Sequence, residues 1–499
     1  MKSWTLLPLV FMLTSCASVQ TRTVQLENPT DGAVIVRVLP DMPSSNQFND
    51  ADSSIEFERM GTESNNGSAA FFVSPTRGGT SHTSLYAATL PPGKYRVNSL
   101  VFHPCDVLCP LYVVTPKKEF SQFEISSGRL TDLGVLVRSG SPYGGSGVLL
   151  SHASAPQSDE TETIVHESFP SFIPLLARPS LSWLPDTVPG DMQSLFAHAI
   201  SNSFGFNSPV ALADGGFLYG SANGVINEIQ ADRTRTYSDL GTRKFVESVL
   251  VASDGRWLAS GELGLLKESQ DQGKHWKDMR GNLPFGVIFS LHEHNKGIFA
   301  AILRGFRVSV YRADIDSNDW HQIAQFEMGP KNYMDGALAA PQAFLVKDRM
   351  IVTLPGQHLV NLDLDTGVSQ IYDSPGAIRT FSASDDGVLR CKCKGGIAVN
   401  PYESHDLGKT WRESAAPRFM GNPAFRDKLH GVGYKFGLLG NPSRMMYTED
   451  AGNTWTETEE PKVQFSQLFY SKDGKTAYAA TATGLLWLSH DDGKSWETP

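Results

Sequence analysis

The phrase Ser489-His-Asp-Asp-Gly-Lys-Ser-Trp496 has three near-copies earlier in this chain. They are Ser269-Gln-Asp-Gln-Gly-Lys-His-Trp276, Ser404-His-Asp-Leu-Gly-Lys-Thr-Trp411 and Thr448-Glu-Asp-Ala-Gly-Asn-Thr-Trp455. The shared pattern, Ser/Thr-x-Asp-x-Gly-x-x-Trp, predicts a tight turn. The carboxylate can accept backbone N–H groups, glycine allows a positive φ, and tryptophan packs the turn against an apolar surface. Each copy is therefore predicted to form the corner between two strands.

The copies are spaced at a regular interval. Trp411, Trp455 and Trp496 lie 44 and 41 residues apart, whereas Trp276 and Trp411 are separated by 135 residues, about three such intervals. Degenerate copies are expected in that gap and before Trp276. They are Gln230–Tyr237, Ala313–Trp320 and Asp363–Gln370. The phrase then marks seven units, aligned at positions 237, 276, 320, 370, 411, 455 and 496.

Each unit reads as a set of short strands. The second contains the runs Val249–Gly255, Arg256–Gly261 and Leu265–Ser269, separated by turn residues. A repeat of 40 to 50 residues built from four short antiparallel strands is typical of a β-propeller. We therefore predict an all-β protein with a seven-bladed β-propeller over residues 205–499.

The repeated phrase resembles the Asp-box, or BNR repeat, of sialidases, other glycoside hydrolases, sorting-receptor ectodomains and photosystem assembly factors. The resemblance implies that the box lies between the third and fourth strands of a blade, away from the mouth of the propeller, and that its residues are structural. These residues are Asp271, Gly273, Trp276, Asp406, Gly408, Trp411, Asp450, Gly452, Trp455, Asp491, Gly493 and Trp496.

The first residues have the pattern of an export signal, with Lys2 followed by an apolar run from Trp4 to Leu13. Leu13-Thr-Ser-Cys16 resembles the lipobox of bacterial lipoproteins. The resemblance implies that residues 1–15 are removed as a signal peptide, that Cys16 is acylated and that residues 16–20 form the anchor and tether. Ala17, where some lipoproteins have Asp, implies the outer membrane rather than the inner one.

The region between anchor and propeller divides into three parts. Residues 21–138 are β-rich and resemble a small transthyretin-like β-sandwich through Pro91-Pro-Gly-Lys-Tyr95. Residues 139–170 are rich in Ser, Gly and Glu and are predicted to be a linker. Residues 171–204 are predicted to lead into the propeller, with a short helix over Asp191–Ile200. Within 171–204 we also expect a closure strand, which pairs with Leu485–Leu488 because few residues follow Trp496.

Four further cysteines form two close pairs. In an exported protein a disulfide between Cys105 and Cys109 is expected. Cys391 and Cys393 allow a bridge with each other, two buried thiols, or cross-links to the first pair. His292 and His294 lie on one side of a predicted strand without an evident third ligand, so we expect no metal site and no cofactor.

Known catalytic patterns are not evident in the sequence. The Arg-Ile-Pro segment of sialidases, a Gly-x-Ser-x-Gly elbow and a His-Glu-x-x-His zinc motif are absent. A formal net charge of −10 argues against nucleic-acid binding. The favoured function is therefore a non-catalytic envelope lipoprotein whose propeller binds a protein or glycan; the alternative is a sialidase-like or other glycoside hydrolase with its active site in the propeller mouth. Arginine and aromatic residues typical of binding hot spots fall in predicted mouth loops. They are Phe285, Arg304, Arg307, Tyr333, Arg379, Arg418 and Phe419.

Overall fold

The architecture is taken from a computed structural model of the chain. It describes residues 24–26, 28–40, 54–61, 70–76, 79–102, 112–116, 121–139, 149–152, 158–184, 190–201, 203, 205, 207–230, 232, 234–328, 341–354, 357–384, 386–395, 398–417, 420–421, 423–435, 444–458, 461, 463, 465–471, 473–481 and 486–498. The predictions for Cys16, Cys105, Cys109, Tyr333, Arg418 and Phe419 lie outside these residues.

Two sheets precede the repeats. Their strands are β1 (Gly32–Pro40), β2 (Ser54–Arg59), β3 (Ala70–Val73), β4 (Pro75–Thr76), β5 (Ser84–Leu90), β6 (Gly93–Phe102), β7 (Tyr112–Val114), β8 (Gln122–Ile125), β9 (Leu130–Ser139), β10 (Leu149–His152) and β11 (Trp183–Leu184). One sheet has the order β10-β9-β1-β5-β4 and the other β11-β8-β6-β2-β3, with β7 also paired to β6. We call the described part of residues 24–184 the N-terminal module.

The strand β1 is buried on both sides because nearly all its residues are apolar. Val34, Val36 and Val38 share a core with Phe57 and Phe123 of the other sheet, so the two sheets pack face to face. Ala33 and Ile35 belong to a second core with the helical segments that follow β10. The module thus has an apolar layer on each side of β1.

The predicted linker is wrong for much of its length. It contains β10 and the helix α1 (Ser158–Ser168), which is followed by a 3-10 segment at Pro170–Ala177. The acidic composition of residues 158–163 suggested a linker, but Thr161, Ile164 and Val165 form a buried stripe at helical spacing. A second helix, α2 (Gly190–Ser201), confirms the helix predicted before the propeller.

Seven consecutive antiparallel sheets follow in the described part of the chain. The first three contain β12 (Asn207–Ala211), β13 (Phe217–Ser221), β14 (Val225–Ile229) and β15 (Arg235–Asp239); β16 (Val246–Val251), β17 (Trp257–Gly261), β18 (Leu266–Ser269) and β19 (Lys277–Asp278); and β20 (Val287–His294), β21 (Gly297–Arg304), β22 (Arg307–Asp314) and β23 (His321–Glu327). The fourth and fifth contain β24 (Gln342–Val346), β25 (Arg349–Leu354), β26 (His358–Asp363) and β27 (Ser369–Asp373); and β28 (Ala377–Ala383), β29 (Leu389–Gly395), β30 (Ala398–Ser404) and β31 (Arg412–Glu413). The last two contain β32 (Ala424–Phe425), β33 (Gly431–Lys435), β34 (Arg444–Thr448) and β35 (Thr456–Glu457); and β36 (Phe465–Tyr470), β37 (Ala477–Thr481) and β38 (Leu486–Ser489).

The sheets are arranged as in a β-propeller. Within each sheet the strands follow chain order, and first strands of neighbouring sheets lie against each other, as β16 does against both β12 and β20. The last sheet meets the first, because Tyr478 and Leu486 share a core with Phe217 and Tyr219. Among the described residues, no helix has the length and apolar character needed to cross a membrane.

The phase predicted for the degenerate repeats is confirmed. Gln230–Tyr237 covers the turn between β14 and β15, Ala313–Trp320 the turn between β22 and β23, and Asp363–Gln370 the turn between β26 and β27. All three connect a third strand to a fourth, as the complete copies of the second, fifth and sixth sheets do.

The predicted closure strand is wrong. Trp183 and Leu184 pair with β8 of the N-terminal module, and Asn207–Ala211 is the first strand of the first sheet. The outer side of β38 is bonded instead to Glu497, whose N–H and carbonyl both bond to Leu488 at 2.9 Å. In the second, fifth and sixth sheets, which carry complete boxes, the fourth strand has two residues.

Candidate functional site

The complete boxes form four nearly identical turns. In the fifth sheet, Ser404 Oγ accepts the N–H of Gly408 at 2.8 Å and lies 2.8 Å from Asp406 Oδ1, which accepts the N–H of Thr410 at 2.9 Å. Trp411 donates its indole N–H to the Gly408 carbonyl at 3.1 Å and packs among side chains that include Leu359 of the fourth sheet. Equivalent bonds occur at Asp271, Asp450 and Asp491. The polar groups of each box therefore bond to the backbone of the same turn. The Trp side chain of the fifth-sheet box also packs against the neighbouring sheet.

The opposite edge of the sheets carries the predicted mouth. We call it the mouth face: it contains the connections from second to third strands and from each fourth strand to the next sheet. The N-terminal module and α2 lie on this face over the first three sheets. Asn223 Nδ2 donates to the Ala199 carbonyl of α2 at 3.2 Å, and Leu263 donates its N–H to the Gly79 carbonyl at 2.6 Å. The first three sheets are therefore capped at their mouth end.

Phe285 is part of this contact rather than of an open mouth. It is 3% exposed and belongs to the core that joins Leu263 to Ile35 and Phe172 of the N-terminal module. Gly79 has a φ of +73°, and a Cβ there would lie 2.6 Å from the Phe285 ring, so a larger residue would not fit. The prediction that Phe285 faces a partner is corrected, because the module covers it.

A buried glutamate in the second sheet holds a segment of the module. Glu262 is fully buried, and its Oε1 accepts the N–H groups of Ser81 at 2.7 Å, His82 at 2.5 Å and Thr83 at 2.8 Å. Its Oε2 accepts the Thr83 hydroxyl and, at 3.3 Å, the N–H of Phe245. Several N–H donors on one carboxylate favour its ionised form. Glu262 thus binds a bent backbone segment of the module through both of its carboxyl oxygens.

A second carboxyl lies beside it on the innermost strand, β16. Glu247 Oε1 contacts the Ser81 hydroxyl and is 3.5 Å from His82 Nε2. Burial raises the pKa of Glu247 to about 8, whereas burial lowers the pKa of His82 to about 4. The His82 ring is stacked on Phe245, with 3.8 Å between centroids. Both shifts favour the uncharged form of the group.

A charge network forms another part of the same interface. Glu160 of α1 accepts a hydrogen bond from Arg37 of β1 at 2.7 Å and lies 3.4 Å from Lys244 of the propeller. Arg304 pairs with Glu167 of α1 at 3.2 Å. These contacts tie α1 to β1 and to the propeller.

The predicted mouth residues Arg304 and Arg307 end β21 and begin β22, on either side of a two-residue turn. Their side chains are 59% and 53% exposed, and Phe306 between them is 49% exposed. Arg307 pairs with Glu327 at 2.7 Å. The structure thus brings two arginines and one aromatic residue together at the border of the capped region.

Arg379 lies elsewhere, on the innermost strand of the fifth sheet. It is half-buried and sits at a β-bulge between Ile378 and Thr380. Glu247 occupies the equivalent bulge of the second sheet, between Val246 and Ser248. Bulges re-aim side chains and often occur near binding sites.

The remaining candidate ligands have structural partners. Cys391 and Cys393 form a disulfide with 5.8 Å between their α-carbons, which selects one of the alternatives left open by the sequence. His292 contacts Ser290 Oγ at 2.9 Å and the Ala343 carbonyl at 3.2 Å, and burial lowers its pKa to about 4. His294 lies 3.3 Å from Asp365. In the described part of the chain, no group of three or more His, Cys, Asp or Glu side chains could hold a metal ion.

Sequence reasoning missed the pair Glu247 and Glu262. A signal was present for Glu262, because it stands between Gly261 and Gly264 inside the otherwise apolar stretch Trp257–Leu266. Its partners, Ser81 to Thr83, are about 180 residues away and carry no recognisable motif. The pairing needed the three-dimensional fold.

Comparisons with known proteins give only distant likenesses. No family model and no curated protein matches the chain. A solved structure titled "YCF48 bound to D1 peptide" is 13% identical, with a TM-score of 0.46 and coverage of 58% of this chain and 94% of that one. The computationally designed Ika8 protein is 12% identical, with a TM-score of 0.42 and coverage of 59% and 86%. A chain of a mitotic checkpoint complex is 11% identical, with a TM-score of 0.41 and coverage of 58% and 90%. Likenesses at this level support no statement about function.

Proposed function

We propose that this chain is a non-catalytic lipoprotein of the bacterial cell envelope that binds a protein partner. In this proposal Cys16 carries the lipid at the outer membrane, and residues 16–20 tether the folded part. The N-terminal module is a β-sandwich, and the seven sheets form a seven-bladed propeller closed by Asp-box turns. The sandwich caps one side of the propeller mouth, and the partner binds beside the cap.

The observation that carries this proposal is the hairpin Arg304–Arg307. Phe306 is half exposed at its tip, although the burial of an aromatic ring would be favourable. Arginine and aromatic residues are enriched among the side chains that dominate binding energy. Arg304 and Arg307 keep exposed side chains while pairing with Glu167 and Glu327, so the hairpin offers an apolar centre with a charged rim.

A catalytic role has less support at the mouth face. The carboxyl pair found there, Glu247 and Glu262, is covered by Ser81, His82 and Thr83. A glycoside hydrolase needs two carboxyl groups with a sugar between them. In the described structure, the chain's own segment Ser81–Thr83 occupies the space beside Glu247 and Glu262 where a sugar would have to lie.

The proposal is tested by affinity capture of partners from solubilised envelopes with a Phe306→Ser variant. The matched control is Tyr237→Ser, since Tyr237 is also an exposed aromatic residue, at 51%, but lies on the outermost strand of the first sheet and not on the Arg304–Arg307 hairpin. We expect a protein captured by the wild type to be retained by the control and lost with Phe306→Ser. Capture that is equal for both variants, or that requires a glycan rather than a protein, would contradict the proposal.

A further inference from the structure

The hydroxyl of Ser81 lies between the carboxyl groups of Glu247 and Glu262. If both carboxyl groups were ionised, this hydroxyl could donate a hydrogen bond to only one of them. The Ser81 hydroxyl lies within hydrogen-bond distance of Glu247 Oε1 and, at 3.0 Å, of Glu262 Oε1. A hydroxyl has one proton to donate and lone pairs to accept with. If it donates to one carboxyl, the contact with the other requires a proton from that carboxyl.

The remaining contacts indicate which carboxyl carries the proton. Glu262 accepts three consecutive backbone N–H groups from the module, the Thr83 hydroxyl and the N–H of Phe245, a set of donors suited to a carboxylate. Glu247 faces the Ser81 hydroxyl and the ring of His82. The consistent assignment is Glu247 donating to Ser81 Oγ, and Ser81 donating to the Glu262 anion.

We infer that this three-group chain is a pH-sensitive latch that docks the N-terminal module on the propeller. The latch is closed when Glu247 carries its proton. Loss of that proton places two carboxylates on one serine hydroxyl in a buried place, which disfavours the docked arrangement. Undocking would expose Phe285 and the mouth end of the second sheet, which the module covers in the closed state.

The neighbouring charged groups have their own partners. Lys244, on the connection before β16, lies 3.4 Å from Glu160 and 3.4 Å from the Leu263 carbonyl. Arg280, on the connection before β20, donates from Nε to the Leu283 carbonyl at 3.3 Å. His82 is a second titratable group in contact with Glu247. The pH response of the latch therefore follows from Glu247 and His82 together.

Glu247 and His82 change the free energy of docking with pH in opposite directions. The pKa of Glu247 is raised to about 8 on docking, so its contribution to docking is complete below its ordinary value near 4.3 and is lost as the pH rises to about 8. The pKa of His82 is lowered to about 4, so its contribution is lost as the pH falls below about 6.5. The two effects oppose each other between about pH 4.3 and 6.5. Between about pH 6.5 and 8, Glu247 acts alone, and opening should increase about tenfold per pH unit.

Hydrogen exchange of the full-length chain tests the latch. The readout is protection of the Ser81, His82 and Thr83 amides, corrected for the intrinsic effect of pH on exchange. In the wild type we expect protection to fall about tenfold per unit between about pH 6.5 and 8, and to level off above it. In Glu247→Gln, whose amide can still donate to Ser81, protection should not depend on pH in this range. Strand β17 provides internal reference amides that should show no such trend.

Two results would overturn the inference. One is wild-type protection that stays constant between about pH 6.5 and 8; the other is the same pH trend in Glu247→Gln. If that variant fails to fold, Ser81→Ala gives a second test. It removes the hydroxyl that both carboxyl groups contact, so the pH at which opening levels off should shift while the propeller amides keep their protection. An unshifted titration in Ser81→Ala would also contradict the latch.

Discussion

Tyr478 of the last propeller sheet donates a hydrogen bond from its hydroxyl to the carbonyl of Gly215 in the first sheet, at 2.9 Å. Its ring lies 5.0 Å from that of Phe217 and is stacked with Phe469 at 4.9 Å, measured between centroids. The two residues joined by the hydrogen bond are 263 positions apart in sequence. The ends of the repeat region are thus held together by aromatic packing and a polar bond, and none of the described strands is shared between the two sheets.

Replacement of Tyr478 should therefore weaken the propeller. Tyr478→Phe keeps the ring and removes one hydrogen bond, so we expect a loss of about 1 kcal/mol in the free energy of unfolding. Tyr478→Ala also removes a buried ring and should cost about 3–5 kcal/mol. Urea denaturation measures both, with Tyr237→Phe as the exposed control. Equal stability of Tyr478→Ala and wild type would show that this contact does not hold the ends together.

The box carboxylates should make stability depend on acid. The pKa of Asp450 is lowered because Thr454 donates its backbone N–H at 2.8 Å and its hydroxyl at 2.7 Å to the carboxylate. A lowered pKa stabilises the fold above the ordinary value of about 3.9, and this stabilisation is lost as the pH falls towards the folded-state value. Asp450→Asn should be less stable than wild type at pH 7, and the difference should shrink on acidification.

Thermal unfolding at a series of pH values below 7 measures this difference. Asp316→Asn is the matched control, because the Asp316 side chain is 92% exposed and lies in a degenerate copy of the phrase. A difference in thermal stability between Asp450→Asn and wild type that stays constant with pH would contradict an electrostatic role for the box carboxylate.

The repeats were predictable because their signal is local. Asp406 accepts the N–H of Thr410, and Trp411 donates to the carbonyl of Gly408, all within six residues. A single short stretch of sequence therefore specifies the turn. Even degenerate copies without Trp, such as Asp363–Gln370, keep the period that places them between third and fourth strands.

The cap on the mouth face was not predictable in the same way. Ser81 and Glu262 are 181 residues apart, and nothing in either neighbourhood specifies the other. Phe285 has the composition of a binding residue, but an apolar ring in a loop suits a partner and an internal neighbour equally well. The helix α1 was not predicted because its sequence is rich in acidic residues and its buried stripe consists of only three residues.

The bridge between Cys391 and Cys393 should contribute little stability. Both residues are buried in the core between the fourth and fifth sheets, and the bridge closes a loop with one intervening residue. Cross-links over short loops remove little entropy from the unfolded chain, so we expect less than about 2 kcal/mol. Comparing urea unfolding of oxidised and reduced protein measures this contribution. A larger loss on reduction would mean that the bridge holds packing that the thiols cannot keep.

Cys16 is predicted to carry lipid, on the basis of the Leu13-Thr-Ser-Cys16 motif. Cells labelled with palmitate should incorporate the label into the wild-type protein and not into Cys16→Ser. Cys391→Ser is the control, since that cysteine is buried in the propeller and should not affect labelling. Label retained by Cys16→Ser, or a mature amino terminus at another residue, would contradict the prediction.

Glu160 should hold the N-terminal module, α1 and the propeller together. Its side chain is 9% exposed and lies between Arg37, which is 8% exposed, and Lys244. Glu160→Ala would leave two cations in a largely buried place, which typically costs about 3–5 kcal/mol. Glu162→Ala is the matched control on the same helix, because the Glu162 side chain is 66% exposed and its contact with His166 is worth about 0–1 kcal/mol at most. Urea denaturation should separate the two variants clearly, and limited proteolysis should show that Glu160→Ala loosens α1 first. If both variants unfold alike, the network does not stabilise the interface.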